Sequence, residues 1–156
     1  TLNEILAVAA LIGAAGTRRV RELGLNPKYG EASPMLSVKG ATREQVEALV
    51  ARGNNARGPI SIAVTNSDNH HVLSGYPEDL AAFALEAERE HQHQAKLREQ
   101  KLHGGTVFNP TLEYLEVTLP FHSPLMADAV EQTVAWAGAP AASTRSAPVR
   151  LPRKCF

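Results

Sequence analysis

The chain has 156 residues, of which 44% are hydrophobic and 5% aromatic, and its 16 Lys and Arg residues balance 16 Asp and Glu residues. This length is enough for one ordinary hydrophobic core and too short for two. No apolar stretch approaches the roughly 20 residues of a membrane-spanning helix, and no secretory leader is visible, so we expect neither membrane insertion nor export. The single cysteine, Cys155, cannot by itself form an intramolecular disulfide or a zinc site. We therefore expect a reducing, cytoplasmic setting.

The charges are unevenly distributed along the chain. Residues 138–156 carry four cations and no acids, which leaves residues 1–137 with 12 cations against 16 acids. An acidic body argues against nucleic-acid binding, because that function needs clustered Lys and Arg. The basic tail is rich in Ala, Pro, Ser and Arg, so it cannot bury enough apolar surface to offset its ordering entropy. We expect it to be a non-globular extension.

Residues 1–21 predict a first helix. Leu and Ile side chains recur at spacings of three and four, and residues 1–4 (TLNE) have the form of a capping box. The helix is apolar almost all round, which favours burial against something larger. Gly13 and Gly16 would weaken an exposed helix by up to ~1 kcal/mol each, so they indicate close packing or a ligand near the backbone.

A regular alternation of strands and helices follows a loop at residues 22–33. Its segments are, in chain order, a strand at 35–38, a helix opened by the capping box at 42–45, hairpin strands at 60–65 and 71–75 joined by a turn at 66–69, a helix from Pro77, a strand at 114–120 and a final helix at 124–137. The order βαββαβ is typical of a ferredoxin-like antiparallel sheet covered by two helices. The predicted fold class is therefore α+β.

The first and last helices do not belong to this pattern and look like parts of another layer. We therefore divide the chain into a helix and loop at residues 1–33, a ferredoxin-like subdomain at 34–121, an elbow and helix at 122–137, and the basic tail at 138–156.

Six histidines are the first candidates for chemistry, at positions 70, 71, 91, 93, 103 and 122. His91 and His93 point away from each other on a helix, so we expect a solvated helix face rather than a metal site. His70 and His71 flank the hairpin turn; burial of either is the alternative, and we expect both to lie on the hairpin surface. The sequence contains no Gly-rich phosphate loop, paired Cys, HExxH helix or Gly-x-Ser-x-Gly elbow. No metal site is predicted.

His122 has a different setting, between the last predicted strand and the final helix. Pro120 and Pro124 restrict the backbone on both sides of it. Imidazole exchanges protons near neutral pH, so a His on a stiff elbow suits general-base catalysis. A His that caps the following helix or fills a gap between domains would have the same pattern. The residue pattern alone leaves both interpretations open.

Two segments together resemble the malonyl/acyl-CoA:acyl-carrier-protein transacylase family. The first runs from Asn66-Ser67 to Val72-Leu73-Ser74-Gly75, and the second is Pro120-Phe121-His122-Ser123 followed by Met126. The second segment is most similar to the acyltransferase domains of type I fatty acid synthases of the fungal and actinobacterial kind. The resemblance extends from Leu2 to about Trp136.

The resemblance implies a ferredoxin-like subdomain inserted into a large α/β-hydrolase-like subdomain, which carries a Ser nucleophile in a Gly-His-Ser-x-Gly elbow. The acyl group would pass from CoA to that Ser and then to the phosphopantetheine thiol of acyl carrier protein. Acyl-CoA, the carrier protein and other synthase domains are therefore the implied partners, and no bound cofactor is implied. His122 matches the catalytic His, which accepts the Ser proton and returns it to the departing thiol. Asn66, Ser123 and Ala15 are the implied substrate-binding positions.

This sequence departs from the family in two respects. The Ser elbow and the oxyanion-hole loop are missing, so we expect the isolated chain to be catalytically silent. Malonyl-selective members have an Arg in the first helix that grips the malonyl carboxylate, whereas Ala15 takes that position within residues 11–16 (LIGAAG). An unpaired buried carboxylate would cost several kcal/mol, so we expect an acetyl starter as the substrate. A shift of three or four residues in the alignment would instead bring Arg18 or Arg19 to the pocket.

Three alternatives stay open at this point. One is the malonyl/palmitoyl transferase domain of such a synthase, and another is a non-catalytic module that docks carrier protein or neighbouring domains, with His122 as a structural cap. The third is a small-molecule-binding regulatory domain of the same fold. A free-standing module should not end in helices that are apolar on nearly every side, and their exposure predicts self-association or poor solubility. The tail at 138–156 does not resemble the family and suggests an engineered or reading-frame junction, with a native regulatory tail as the alternative.

Overall fold

The computed structural model describes residues 1–25, 32–53, 55–100 and 108–138. Its elements in chain order are helix α1 (Leu2–Glu22), strand β1 (Met35–Lys39), helix α2 (Arg43–Arg52), strands β2 (Ser61–Ser67) and β3 (His70–Ser74), helix α3 (Pro77–Glu99), strand β4 (Thr111–Tyr114), a short 3-10 helix (Pro124–Met126) and helix α4 (Ala127–Gly138). Residues 26–31 of the predicted loop and residues 139–156 of the predicted tail, with Cys155, lie outside the described residues. The proposed division of the chain into subdomains stays a prediction.

The four strands form one antiparallel sheet in the order β2-β3-β1-β4. Strand β1 lies inside the sheet, where Ser37 pairs with Val72 of β3 on one side and with Glu113 of β4 on the other. Each helical connection, through α2 and through α3, skips one strand. This is the split βαβ arrangement of ferredoxin-like folds, so the predicted α+β fold is confirmed.

Helices α2 and α3 cover one face of the sheet. Thr42 starts α2 as predicted, because its hydroxyl accepts a hydrogen bond from Gln45 N and its own N–H donates to the Gln45 side chain. Strand alternation places Leu36 and Val38 on the face that these helices cover. The core consists of Leu36, Val38, Ala41, Val46, Leu49, Ile60, Leu73, Leu80, Phe83, Ala87 and Phe108.

The hairpin is tighter than predicted. Strand β2 continues through Ser67, which pairs with His70, so the turn contains only Asp68 and Asn69. Asn66 therefore lies on a strand and not in the turn. Short polar side chains favour turns, but they also fit an exposed edge strand, where backbone pairing with β3 decides the conformation.

The last strand is shorter than predicted, and the predicted strand beyond Tyr114 is wrong. Leu115 N still donates a hydrogen bond to Met35 O at 3.0 Å, but Met35 is the first residue of β1. Beyond it the chain turns, and Val117 N donates to Leu115 O at 2.8 Å instead of to another strand. A strand needs partners for its N–H and C=O groups. The alternating apolar residues past the start of β1 therefore cannot extend the sheet.

Helices α1 and α4 pack against each other in a separate layer. Leu125, just before α4, is buried with Leu23 and Leu25, which follow α1. The predicted apolar helices are therefore present, and many of their large side chains are exposed: Leu2, Ile5, Leu6, Val8, Ile12, Val130, Val134 and Trp136. None of the helices in the described ranges combines the length and the apolar character that crossing a membrane requires.

Candidate functional site

His122 forms the apex of a turn between β4 and the 3-10 helix. Its φ is 54°, which makes it the one residue other than glycine with a positive φ in the described ranges. This left-handed conformation is uncommon for residues with a Cβ. Ser123 closes the turn by donating its hydroxyl hydrogen to Pro120 O at 2.7 Å, and both Ser123 and Pro120 are buried. The imidazole itself is exposed, so it can contact a group that approaches from outside the turn.

An apolar groove of about 420 Å³ runs beside this imidazole, between α1 and α4. Its apolar walls include Ile12, Phe121, Met126, Val130 and Val134, and its polar lining consists of His122, Ser123 and Thr133. Among the described residues, no Lys or Arg lines the groove. The groove is therefore suited to an uncharged apolar group that lies next to an imidazole.

Of the other three predicted site residues, one lines this groove and two do not. Ser123 is part of its lining. Ala15 is only 1% exposed, and it lies one helical turn after Ile12 without being part of the lining. Asn66 is exposed on β2 and places its Nδ2 3.5 Å from His70 Nε2. The polar contacts of the described residues include none between Asn66 and His122.

Arg18 and Arg19 are engaged away from the groove. Arg19 Nε donates to Leu125 O at 2.7 Å, and its Nη1 lies 2.8 Å from Asp128 Oδ2. Arg18 Nε lies 2.7 Å from Glu22 Oε1, and this hydrogen bond lowers the pKa of Glu22. Neither guanidinium is part of the groove lining.

The prediction that His70 and His71 both lie on the hairpin surface is wrong for His71. His71 is fully buried, with Nδ1 3.2 Å from Thr65 Oγ1 and with no hydrogen-bond partner for Nε2 among the described residues. His70 is half-buried, and its Nε2 lies 3.1 Å from Oγ of Ser37, which is itself buried. This Ser–His contact crosses two strands whose register could not be read from the sequence. Ser37 lies within a strand and is 3% exposed, so its hydroxyl is not presented to a substrate.

The two helical histidines also differ from each other. His91 is half-buried and places Nδ1 2.9 Å from Phe108 O, so the prediction of a solvated face is wrong for this residue, while His93 is exposed. Within the described ranges, no group of three or more His, Cys, Asp or Glu residues could hold a metal ion.

Residues 34–114 match a family model described as the fatty acid synthase central AT domain. The chain is 31% identical over 104 residues to fatty acid synthase beta subunit aflB of Emericella nidulans, and 31% identical over 105 residues to fatty acid synthase 2 of Mycosarcoma maydis. Each alignment covers 64% of this chain but only 5% and 3% of those two proteins.

A solved structure is similar over a longer part of the chain. It is the acyltransferase domain of an iterative polyketide synthase in enediyne biosynthesis, with 26% identity and a TM-score of 0.53, and the match covers 87% of this chain and 28% of that chain. The family match spans more than half of this chain and contains the whole four-stranded sheet. The chain therefore belongs to the fatty acid synthase central acyltransferase domain family, as the two sequence motifs predicted.

Proposed function

We propose that this chain supplies the general base and part of the acyl groove of an acyltransferase domain, which moves an acetyl group from CoA to the phosphopantetheine of acyl carrier protein. The observation that carries the proposal is the exposed His122 imidazole beside an apolar groove whose described lining holds no cation. Acyl-CoA, acyl carrier protein and other synthase domains are the proposed partners.

In this mechanism the imidazole of His122 removes a proton from a Ser hydroxyl that lies outside this sequence. The Ser oxygen attacks the thioester carbonyl, and the proton passes to the departing CoA thiol. The phosphopantetheine thiol then gives its proton to His122 and attacks the acyl-Ser ester, and the imidazolium returns that proton to the Ser oxygen. The chain alone is proposed to be inactive because its sequence contains no Gly-x-Ser-x-Gly elbow.

The groove supports an uncharged acyl group over malonyl. A malonyl carboxylate buried between Ile12 and Val130, with the open side of the groove covered by the rest of the domain, would lose water without gaining a cation from the described lining, at a cost of several kcal/mol. Arg19 cannot turn to such a carboxylate without giving up its contacts to Leu125 and Asp128. Ala15 has no charge to offer. Acetyl transfer is therefore proposed, with Ser123 shaping the site through its turn.

A second role is supported by the exposed apolar sides of α1 and α4. Ile5 on α1 is 67% exposed and Trp136 on α4 is 38% exposed, and neither is part of the groove lining. Such surfaces fit the docking of other synthase domains. Docking of other domains is compatible with the proposed acyl transfer. It would remain the proposed role if no acyl transfer were found.

The test uses a longer protein that contains this chain together with the expected Ser elbow, compared with this chain alone. Both are incubated with equal acetyl-CoA and malonyl-CoA and measured by intact-mass spectrometry. We expect an acetyl adduct on the longer protein only, and we expect His122→Ala to slow its formation by about 10²–10⁴-fold. His93→Ala, an exposed His on α3, is the matched control and should leave the rate unchanged.

Each other outcome has a defined meaning. A malonyl adduct would overturn the acetyl assignment while leaving the acyltransferase proposal intact. Unchanged kinetics in His122→Ala would overturn the base role of His122. No adduct on a folded longer protein would favour the docking role alone.

A further inference from the structure

The Arg19 side chain connects α1 to the segment that follows His122. Its Nε donates to Leu125 O at 2.7 Å, and its Nη1 lies 2.8 Å from Asp128 Oδ2 and 3.4 Å from Glu22 Oε2. The side chain is only 20% exposed, so these contacts lie partly within the α1–α4 interface. One planar guanidinium therefore holds the 3-10 helix and the first turn of α4 at the same time.

Leu125 is also held by packing. Leu125 is 9% exposed and lies in a cluster with Leu23 and Leu25. The next residue, Met126, donates its N–H to Ser123 O at 3.0 Å and so connects this anchored segment to the His122 turn. The downstream side of the turn is therefore docked on the C-terminal part of α1.

The upstream side of the turn is docked on the same helix. A Cβ on Gly16 would come within 3.1 Å of Leu119 Cδ2, so the Leu119 side chain lies against the backbone of α1. Phe121 N then donates to Leu119 O at 2.9 Å. Gly16 and Arg19 are three residues apart and share one side of α1. His122 is thus the exposed apex of a turn whose two sides rest on that one side.

We infer that Arg19 is a positioning residue for His122. A non-glycine residue keeps a left-handed conformation only where its surroundings over-determine it. Apolar packing of Leu119 and Leu125 sets the distance of the turn from α1, whereas the directional bonds of Arg19 set the orientation of the Leu125 peptide and hence of the imidazole. The catalytic part of this inference rests on the proposed function, in which His122 is the base.

The first test does not depend on catalysis and uses this chain. In Arg19→Gln, we expect the backbone NMR shifts of His122 and Ser123 to change, and amide exchange at Met126 to become about tenfold faster or more. Arg18→Gln is the matched control, since Arg18 is a neighbouring arginine with 60% of its side chain exposed, and it should change neither. Amides of Leu36 and Leu73 in the sheet report whether the fold is intact.

Unchanged His122 shifts in Arg19→Gln, with the sheet amides still protected, would overturn the inference. If Arg19→Gln does not fold, Arg19→Lys makes the same comparison. Lysine keeps the charge but lacks the planar fork, so it cannot reproduce both contacts at their present geometry. It should therefore change the His122 and Ser123 shifts relative to the wild type, and a wild-type spectrum would contradict the inference.

The second test uses the longer protein with the Ser elbow. Arg19→Gln should lower kcat by about 10²-fold with little change in KM for acetyl-CoA, because a misplaced base affects the chemical step and not binding. Arg18→Gln should change neither constant. A raised KM with unchanged kcat would instead identify Arg19 as a substrate-binding residue and overturn the positioning role. If His122→Ala keeps full activity, the proposed function fails, while the NMR comparison still decides whether Arg19 positions the turn.

Discussion

Gly16 lies directly beneath Leu119, and a Cβ on Gly16 would come within 3.1 Å of Leu119 Cδ2 and 3.3 Å of Cδ1. The missing side chain lets the segment before His122 rest on α1. At Gly13, one turn earlier in the same helix, no atom of the described residues lies within 4 Å of the position of a Cβ. The close packing that the sequence predicted at these two glycines is therefore present at Gly16 and not at Gly13.

This difference predicts unequal results for two identical substitutions. Gly13→Ala should raise the free energy of unfolding by up to ~1 kcal/mol, because alanine favours the helix and meets no described neighbour. Gly16→Ala gains the same propensity, but the new methyl group must push the Leu119 side chain aside by a few tenths of an ångström, so its net gain should be smaller than that of Gly13→Ala. Urea unfolding followed by circular dichroism measures both. Equal gains in the two variants would contradict the contact between Gly16 and Leu119.

His70 and His71 are adjacent on β3, and replacing each by leucine gives a second comparison of two identical substitutions. His71 is fully buried, and its Nε2 has no hydrogen-bond partner within the described part of the chain; such a group costs roughly 1–3 kcal/mol. His71→Leu should therefore raise the free energy of unfolding, since Thr65 is exposed and can bind water instead. His70→Leu should lower it by about 1 kcal/mol, because the buried hydroxyl of Ser37 loses its partner. Thermal unfolding that shifts in the same direction for both variants would refute this interpretation.

The sequence predicted the elements that depend on local signals. The capping box at Thr42 and Gln45 works through residues three apart, and the order of strands and helices follows from periodicity alone. The end of β4 was wrong because it depends on where β1 begins, at Met35, which is distant in the chain. The burial of His71 was missed for a similar reason, since the pairing of His71 with Val38 fixes which side chains lie on the core face.

The candidate site likewise has one part that the sequence predicted and one part that it did not. His122 was recognised from its immediate neighbours, two prolines and a serine, together with the family resemblance. Its support on α1 was not predicted, because Arg19 and Leu125 are separated by 106 residues and their contact has no sequence signature. The pairing of Arg19 with Asp128 likewise depends on how two helices cross.

Acid should weaken the contact between α2 and α3 through Glu90. Its side chain is 19% exposed, accepts a hydrogen bond from Gln94 Nε2 at 2.7 Å and lies 3.0 Å from Arg52 Nη1. The Gln94 hydrogen bond, helped by Arg52, outweighs burial and lowers the pKa of Glu90 below its usual value of 4.5. A carboxyl with a lowered pKa in the folded state stabilises the protein above its unfolded pKa and loses that contribution as the pH falls through the folded pKa.

The difference in unfolding free energy between wild type and Glu90→Gln should therefore shrink as the pH falls from about 6 to about 3. Gln94→Ala, which removes the main donor, should weaken the same pH dependence. Gln100→Ala, an exposed glutamine just after α3, is the control and should follow the wild type at each pH. A difference that stays constant with pH would show that Glu90 does not contribute in this way.

Because His122 has a left-handed backbone conformation, we expect glycine at this position to give a more stable protein than alanine, which is the reverse of the usual order. At a φ of 54° any residue with a Cβ is strained, and glycine is not. His122→Gly and His122→Ala both remove the imidazole, so the difference between them isolates the backbone, and we expect the glycine variant to be more stable by about 1 kcal/mol. At Phe121, where φ is not positive, the same two substitutions should rank in the opposite order. Chemical unfolding of the four variants measures these differences in stability. If alanine is more stable than glycine at both positions, the turn relaxes once the imidazole is removed. The positive φ would then depend on the histidine side chain and not on the surrounding turn.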